Sequence, residues 1–350
     1  MINSKRIVVF IPKDSNTGGP ECLHQFVNTA RALHFPVFIA YYTGKLKIER
    51  ESYVNSNYSK YFTVGSMSDS QTTEILPQDY LIIPEVEVAH LAPYQQHPMA
   101  IWWLSIDNAV GPVRLFMQRN WGYRFYAGML ATLFRCRLID NPTRLRLLYP
   151  MIASNFALHR YQHFCQSYYA YQFFDGILPH RSLLGDFTDL PLEDLKETTY
   201  TKENQVLYNP KKGFHIMEWF IQRYPEISWI PIQNMTKQEV MVLMQCSMVY
   251  VDFGNHPGKD RIPREASLCG CIVITNREGS AAHFEDVGLS DAYKFANPIA
   301  EHATIITLIQ DIFSNYPKHR ELQISYTETI QNEPNTFAEQ VSRILRSVLE

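Results

Sequence analysis

Unbroken apolar runs, and not alternating ones, punctuate this chain. "RIVVFIP" (6–12) is rich in β-branched residues and predicts a strand buried on both faces. The polar stretch "KDSNTGG" follows, and then "PECLHQFVNTARALH" has helical periodicity, with Pro20 suited to a first helical turn. "PVFIAYY" (36–42) is the next run. Strand, glycine loop, helix, strand predicts a βαβ unit and therefore a parallel sheet. "DYLIIPEV" (79–86) and "AIWWLSID" (100–107) predict further strands, and "HRYQHFCQS" would close the sheet. Residues 112–160 read as helical and aromatic, and "YYAYQFF" (168–174) as a short helix.

From 180 to about 203 the sequence turns polar, which predicts a linker. Beyond it the alternation restarts: strand "QVLYN", helix "FHIMEWFIQRY", strand "SWIPI", helix "KQEVMVLMQCS", strand "MVYVDFG", helix "IPREASLCG", strand "CIVITN". The expected fold is α/β, with two doubly wound Rossmann-like domains facing a cleft at the carboxyl ends of their sheets, where such folds bind ligands. The expected bounds are 1–180 and 181–328. An amphipathic helix within 329–350 is expected to cross back to the first domain.

Composition agrees with two folded cores. The chain has 350 residues, 46% hydrophobic and 19% charged, too apolar for a disordered segment. A net charge of −3 speaks against a dedicated nucleic-acid binder. Cys22, Cys136, Cys165, Cys246, Cys269 and Cys271 form no CxxC pair and no zinc spacing, so buried free thiols in a reducing compartment are expected. The first apolar run is too short for a signal peptide or a membrane span. These features point to a cytoplasmic protein. His163, His180 and His215 stand singly among aromatics, as packing or backbone-bonded histidines do.

The chemistry gathers at strand-to-helix junctions. "YNPKKG" (208–213) ends one strand and precedes a helix, so Asn209, Lys211 and Lys212 fall beside free backbone N–H groups, as in an anion site; two solvated lysines in a turn fit the same letters. "VDFGNHPGKDRIPREASLCGCIVIT" (251–275) makes a second such corner. Gly258 permits close backbone approach, Lys259 and Arg261 supply charge, and Glu265 lies about one turn inside the helix begun by Arg261, Ile262 and Pro263. A capped helix with a surface ion pair is the plainer reading of this corner, and worth little. Two cationic corners on one sheet favour a shared diphosphate. "NTGGPE" (16–21) adds a glycine loop with Gly18 and Gly19 at a helix start. GxGxxG, a Walker lysine and a DxD pair are all absent from the sequence.

These stretches resemble the GT-B glycosyltransferases. "YNPKKG … VDFGNHPGKDRIPREASLCGCIVITN" looks like their donor half, most sharply over 206–287, and "TGGPE" like their acceptor-side glycine loop. The resemblance implies sugar transfer from a nucleotide-diphosphate sugar in an interdomain cleft, with no obligatory metal and no bound cofactor. It implies that Lys211 or Lys212, with Lys259 or Arg261, holds the diphosphate, that Glu265 binds the ribose, and that Gly18 and Gly19 lie over the transferred sugar. Many retaining members carry a second glutamate eight residues before the ribose one; here that position is Pro257. Asp260 is then the candidate for its sugar contact, and a retaining outcome is not implied. The acceptor implied is a glycan or a lipid-linked species, as in bacterial surface-polysaccharide assembly. A non-catalytic sugar-nucleotide scaffold and a sugar-nucleotide epimerase are the alternatives.

An inverting transferase needs a general base near the acceptor hydroxyl. Asp107, at the end of "IWWLSID", is the first candidate, with Glu21 and His90 as alternatives; a cap in "SIDN" explains Asp107 equally well. Glu85 and Glu87 would alternate on the strand 79–86. Between 111 and 150, arginines 114, 119, 124, 135, 137, 144 and 146 face Asp140 alone, with aromatic and aliphatic residues between them. Two readings fit: docking on an anionic membrane surface, which would make the protein peripheral on the inner face of the cytoplasmic membrane, or a core helix pair with snorkelling arginines.

Overall fold

The computed structural model describes residues 6–13, 15, 17–49, 56–61, 74–106, 109, 114, 117, 118, 120–188, 190 and 200–349. The chain divides into two compact units, Met1–Asp186 with Asn335–Glu350, and Phe187–Pro334. The first boundary lies beyond the expected 180 because Arg181–Leu183 is still sheet. These three residues pair in parallel with the preceding strand, and their polar letters read as linker.

The N-terminal unit holds seven strands: β1 (Ile7–Pro12), β2 (Val37–Thr43), β3 (Lys47–Ile48), β4 (Tyr80–Pro84), β5 (Met99–Trp103), β6 (Gln162–Cys165) and β7 (Arg181–Leu183), in the order β3-β2-β1-β4-β5-β6-β7. All pairings are parallel except β2 with β3. Ile7 through Ile11 have no exposed surface, which is why the run is unbroken: helices cover both faces of a parallel sheet. The helices are α1 (Gly18–Ala32), α2 (Trp121–Arg135), α3 (Asn141–Asn155) and α4 (Tyr168–Phe173). Trp102 and Trp103 are fully buried with their N–H groups satisfied: Trp102 donates to the Leu184 carbonyl at 3.1 Å and Trp103 to His163 Nδ1 at 3.2 Å. Burial pushes the His163 pKa down to about 4, so it packs as a neutral ring.

One strand is shorter than expected. β4 stops at Pro84, and Glu85–His90 forms a 3₁₀ turn, so Glu85 and Glu87 do not alternate on a strand. The buried Glu85 carboxylate instead accepts the Leu104 and Ser105 backbone N–H groups, each at 3.1 Å, and ties this turn to the end of β5. Of the six cysteines, all free, Cys136 is exposed and Cys246 half-buried, so the expected burial holds for four.

The C-terminal unit holds β8 (Glu203–Tyr208), β9 (Ser228–Pro231), β10 (Ser247–Asp252), β11 (Ile272–Asn276) and β12 (Lys294–Phe295), all parallel, in the order β12-β11-β10-β8-β9. Its helices are α5 (Phe214–Arg223), α6 (Lys237–Cys246), α7 (Arg261–Leu268), α8 (His302–Ser314), α9 (Tyr316–Leu322) and α10 (Ile324–Gln331). α11 (Glu333–Leu349) begins in this unit and continues through residues grouped with the N-terminal one. The strand order reverses beside β1 in the first sheet and beside β8 in the second. Each reversal leaves a crevice at the carboxyl ends of the strands it separates.

β12 covers only Thr275 and Asn276 of β11, which leaves Val273 facing no strand on that side. Gln323 takes the strand's place. Its Oε1 accepts from Val273 N–H and its Nε2 donates to the Val273 carbonyl, both at 2.9 Å and both buried. Gln323→Leu would orphan two buried backbone groups, each costing roughly 1–3 kcal/mol. Urea denaturation of the variant should show a loss of about 2–4 kcal/mol, larger than for a neighbouring exposed substitution such as Leu322→Ala.

Candidate functional site

The crevice of the C-terminal sheet is built from three loops, 209–213 after β8, 253–260 after β10 and 277–279 after β11. They lie against one another backbone to backbone. Gly213 has φ +60, and a β-carbon there would stand 2.6 Å from the Phe253 carbonyl oxygen and 2.9 Å from Gly254 N. Gly279 has φ +54, and its β-carbon would meet the His256 carbonyl oxygen at 2.0 Å. Only glycine fits both demands. Polar ties complete the seam: Asn276 Nδ2 donates to the Gly254 carbonyl at 2.7 Å, Ser280 N–H to that of His256 at 2.9 Å, and Ser280 Oγ–H to that of Gly258 at 2.6 Å.

The two cationic corners of the sequence therefore meet. Lys212 Nζ lies 2.7 Å from Asp260 Oδ2, directly before α7. Asp260 in turn lies 3.0 Å from Nδ1 of the fully buried His256, whose Nε2 is 3.7 Å from Asp252 Oδ1. Asp252 is fixed by Tyr250 O–H at 2.9 Å and Gly254 N–H at 3.1 Å. Charges thus alternate along Lys212, Asp260, His256 and Asp252. Burial works against the charge on His256, but Asp260 and Asp252 outweigh it and lift the imidazole above its ordinary pKa. Burial likewise opposes the Asp260 charge, and His256 and Lys212 outweigh it and hold this carboxyl below its ordinary value.

The remaining residues of this corner divide by partner. Lys259 Nζ lies 2.6 Å from Glu333 Oε1, and buried Arg264 Nη1 lies 2.7 Å from Glu333 Oε2. Lys259 is thus held against the start of α11. Arg264 also donates to the Lys259 and Asp260 carbonyls at 3.0 and 3.1 Å. Arg261 opens α7, Ile262 packs on the core, Pro263 is buried, and Glu265 sits half-buried at the start of the second turn. Asn209 shapes its own turn, its Oδ1 accepting Lys211 N–H at 3.0 Å; Lys211 is exposed. Arg264, Glu333, His256 and Asp252 were missed by sequence reasoning. A buried arginine demands an acidic partner, but 69 residues separate this pair.

Asp252, His256 and Asp260 are the one group that could hold a metal among the described residues, with ligand atoms within 4.8 Å of one another. They do not fit an ion well. Both Asp252 oxygens already accept hydrogen bonds, the two His256 nitrogens lean toward different carboxylates, and the Lys212 ammonium fills the cationic place at Asp260.

In the N-terminal unit, Gly18 and Gly19 are the first residues of α1 and not a free loop. Glu21 is buried on that helix, where Lys60 Nζ at 3.1 Å and Tyr61 O–H at 3.0 Å hold its carboxylate. His90 pairs with Glu87 at 2.8 Å. Burial pushes Glu85 up to about 7, yet both its oxygens are committed to backbone N–H groups. Asp107 lies outside the described residues, as does Arg119.

No protein-family model matches the sequence, and no curated protein does. Solved structures match over almost the whole chain. HepE of Anabaena, in complex with UDP-glucose, aligns at TM-score 0.58 and 11% identity, covering 98% of this chain and 99% of that one. Sucrose-phosphate synthase of Thermosynechococcus elongatus aligns at 0.59 and 12%, with the same coverage. A glycosyltransferase of Rickettsia africae aligns at 0.57 and 12%, covering 99% of each chain. What the chain shares with them is the fold: two Rossmann-like α/β units of GT-B type.

The charge chain sets a pH window for stability. His256 titrates higher when folded, so its contribution is complete below the ordinary histidine value and is lost as pH rises through the raised one. Asp260 titrates lower, so its contribution is present above the ordinary aspartate value and is lost as pH falls through the depressed one. Melting temperature should therefore be highest between those limits, and His256→Asn should flatten the alkaline limb. Superimposable pH profiles for the two proteins would remove the His256 charge from this account.

Proposed function

We propose that this protein is a glycosyltransferase that moves a sugar from a nucleotide-diphosphate sugar to a glycan or lipid-linked acceptor in bacterial surface-polysaccharide synthesis. The observation that carries the reading is the meeting of Lys212 with the N-terminus of α7 where the strand order reverses. An ammonium, the positive end of a helix and a glycine-lined backbone are what a diphosphate needs. Fold likeness to HepE, solved with UDP-glucose, agrees with such a donor.

In this reading Lys212 and Arg261 carry the diphosphate, with Lys211 and Gly258 alongside, and Glu265 accepts from the ribose hydroxyls. The diphosphate takes Lys212 from Asp260, which is then turned to the sugar hydroxyls. Gly18 and Gly19 lie over the transferred sugar. With Glu21 engaged by Lys60 and Tyr61, Asp107 is the proposed base for an inverting transfer. No metal is called for, since Lys212 and the helix terminus supply the positive charge that a leaving diphosphate requires.

Lys212→Ala and Glu265→Ala should each weaken binding of the preferred nucleoside diphosphate about 10- to 100-fold in calorimetry across the common bases, the scale of one charge-assisted contact. Unchanged affinity in both would sink the donor assignment. A second reading, a sugar-nucleotide scaffold without catalysis, draws on Pro257 and on the engagement of Lys259 by Glu333. Slow donor hydrolysis that disappears in Glu265→Ala separates a transferase from it.

A further inference from the structure

The arginine-rich stretch splits in two. Arg146, on α3, is structural: it donates to the Gln172, Phe173 and Asp175 carbonyls at 2.6 to 3.1 Å, and Arg144 lies over the Phe134 ring at 4.9 Å. α2 is different. Only Ala127 and Leu130 of its fifteen residues are buried. Trp121, Phe125 and Met129 follow one another at one-turn intervals on the opposite face, exposed by 85%, 79% and 44%. A protein surface seldom lays out large apolar side chains in such a row without an occupant.

The charge around this row identifies the occupant. Arg124 and Arg135 flank it on one side of the helix, both exposed. Arg114, Met117, Gln118 and Arg124 line an adjoining groove of about 360 Å³, wide enough for a phosphate headgroup. From residue 108 to 139 the sequence has five arginines and no acidic residue, although the whole chain is at −3. Among the described residues, no carboxylate pairs with Arg114, Arg124, Arg135 or Arg137. A second copy of this surface would bring like charges together. An anionic lipid leaflet satisfies both features, taking the aromatic row into its interface and the guanidinium groups at its phosphates.

We propose that the α2 face of the N-terminal unit docks on an anionic lipid bilayer, with Trp121, Phe125 and Met129 entering the interface and Arg114 and Arg124 holding lipid phosphate. The inference stands apart from the donor reading, since it uses no residue of the C-terminal unit. It selects a lipid-linked acceptor if that reading holds.

The test is co-sedimentation of the full chain with vesicles of phosphatidylcholine, with and without phosphatidylglycerol. Binding is expected only to the anionic vesicles and should fade as salt is raised. Arg114→Ala and Arg124→Ala should each weaken it about fivefold, the factor that corresponds to ~1 kcal/mol per basic residue. Trp121→Ser with Phe125→Ser should weaken it on the order of tenfold or more. These side chains are exposed, so melting temperatures should not change. Failure to sediment with anionic vesicles overturns the proposal, as does binding indifferent to both sets of variants. Lipid-independent self-association abolished by Trp121→Ser with Phe125→Ser also overturns it, since that marks the face as an interface between copies. Nucleoside-diphosphate affinity should be the same in all these variants, which keeps the failure of one reading distinct from the failure of the other.

Discussion

At the carboxyl edge of the C-terminal sheet, three loops cross at separations that leave no room for a β-carbon. Gly213 against Phe253 and Gly279 against His256 set this spacing, and the rest of the corner depends on it. This spacing brings Lys212 to Asp260 and Asn276 to the Gly254 carbonyl. The steric demand converts three loops, separate in sequence, into one rigid wall. It also lines the wall with backbone and not with bulky side chains. Rigidity of this kind lowers the ordering cost of binding.

The second consequence is electrostatic. Nearly every charge in this corner has a partner before any ligand comes: Lys212 with Asp260, Asp260 with His256, Lys259 and Arg264 with Glu333. An incoming diphosphate would exchange partners with Lys212 and would not simply neutralise a bare cation. Such exchange gives less net affinity than an unpaired lysine would, but it holds the ammonium in place beforehand and keeps the empty site from collapsing. The Glu333 pair has a separate role. It fixes the 259–264 segment to the start of α11, the helix whose later residues group with the N-terminal unit.

What could be read from the letters follows from how local each signal is. The unbroken runs of β1, β4, β5, β10 and β11 announce buried parallel strands, because burial on both faces is written into consecutive residues. The glycine and lysine of 208–213, and the loop before α7, are equally local. The failures share a cause. β7 is three partly polar residues whose strand character comes from its neighbour β6. The end of β4 is decided by two N–H groups nineteen and twenty residues away that claim Glu85. Nothing near Lys259 in sequence announces its partner Glu333, and the partners of Glu21, Lys60 and Tyr61, come 39 and 40 residues later. Helix and strand periodicities report a residue's face; they are silent about its distant partner.

Gln323 has an implication for life in a crowded solution. A parallel sheet that ends in a two-residue strand leaves bare peptide groups along its last full strand, and such an edge is a template for another polypeptide. By lending one side-chain amide to Val273, the chain imitates a neighbouring strand at a register position that β12 does not reach. A single glutamine thus closes the hydrogen bonds of this edge where an extra strand would otherwise have to be built.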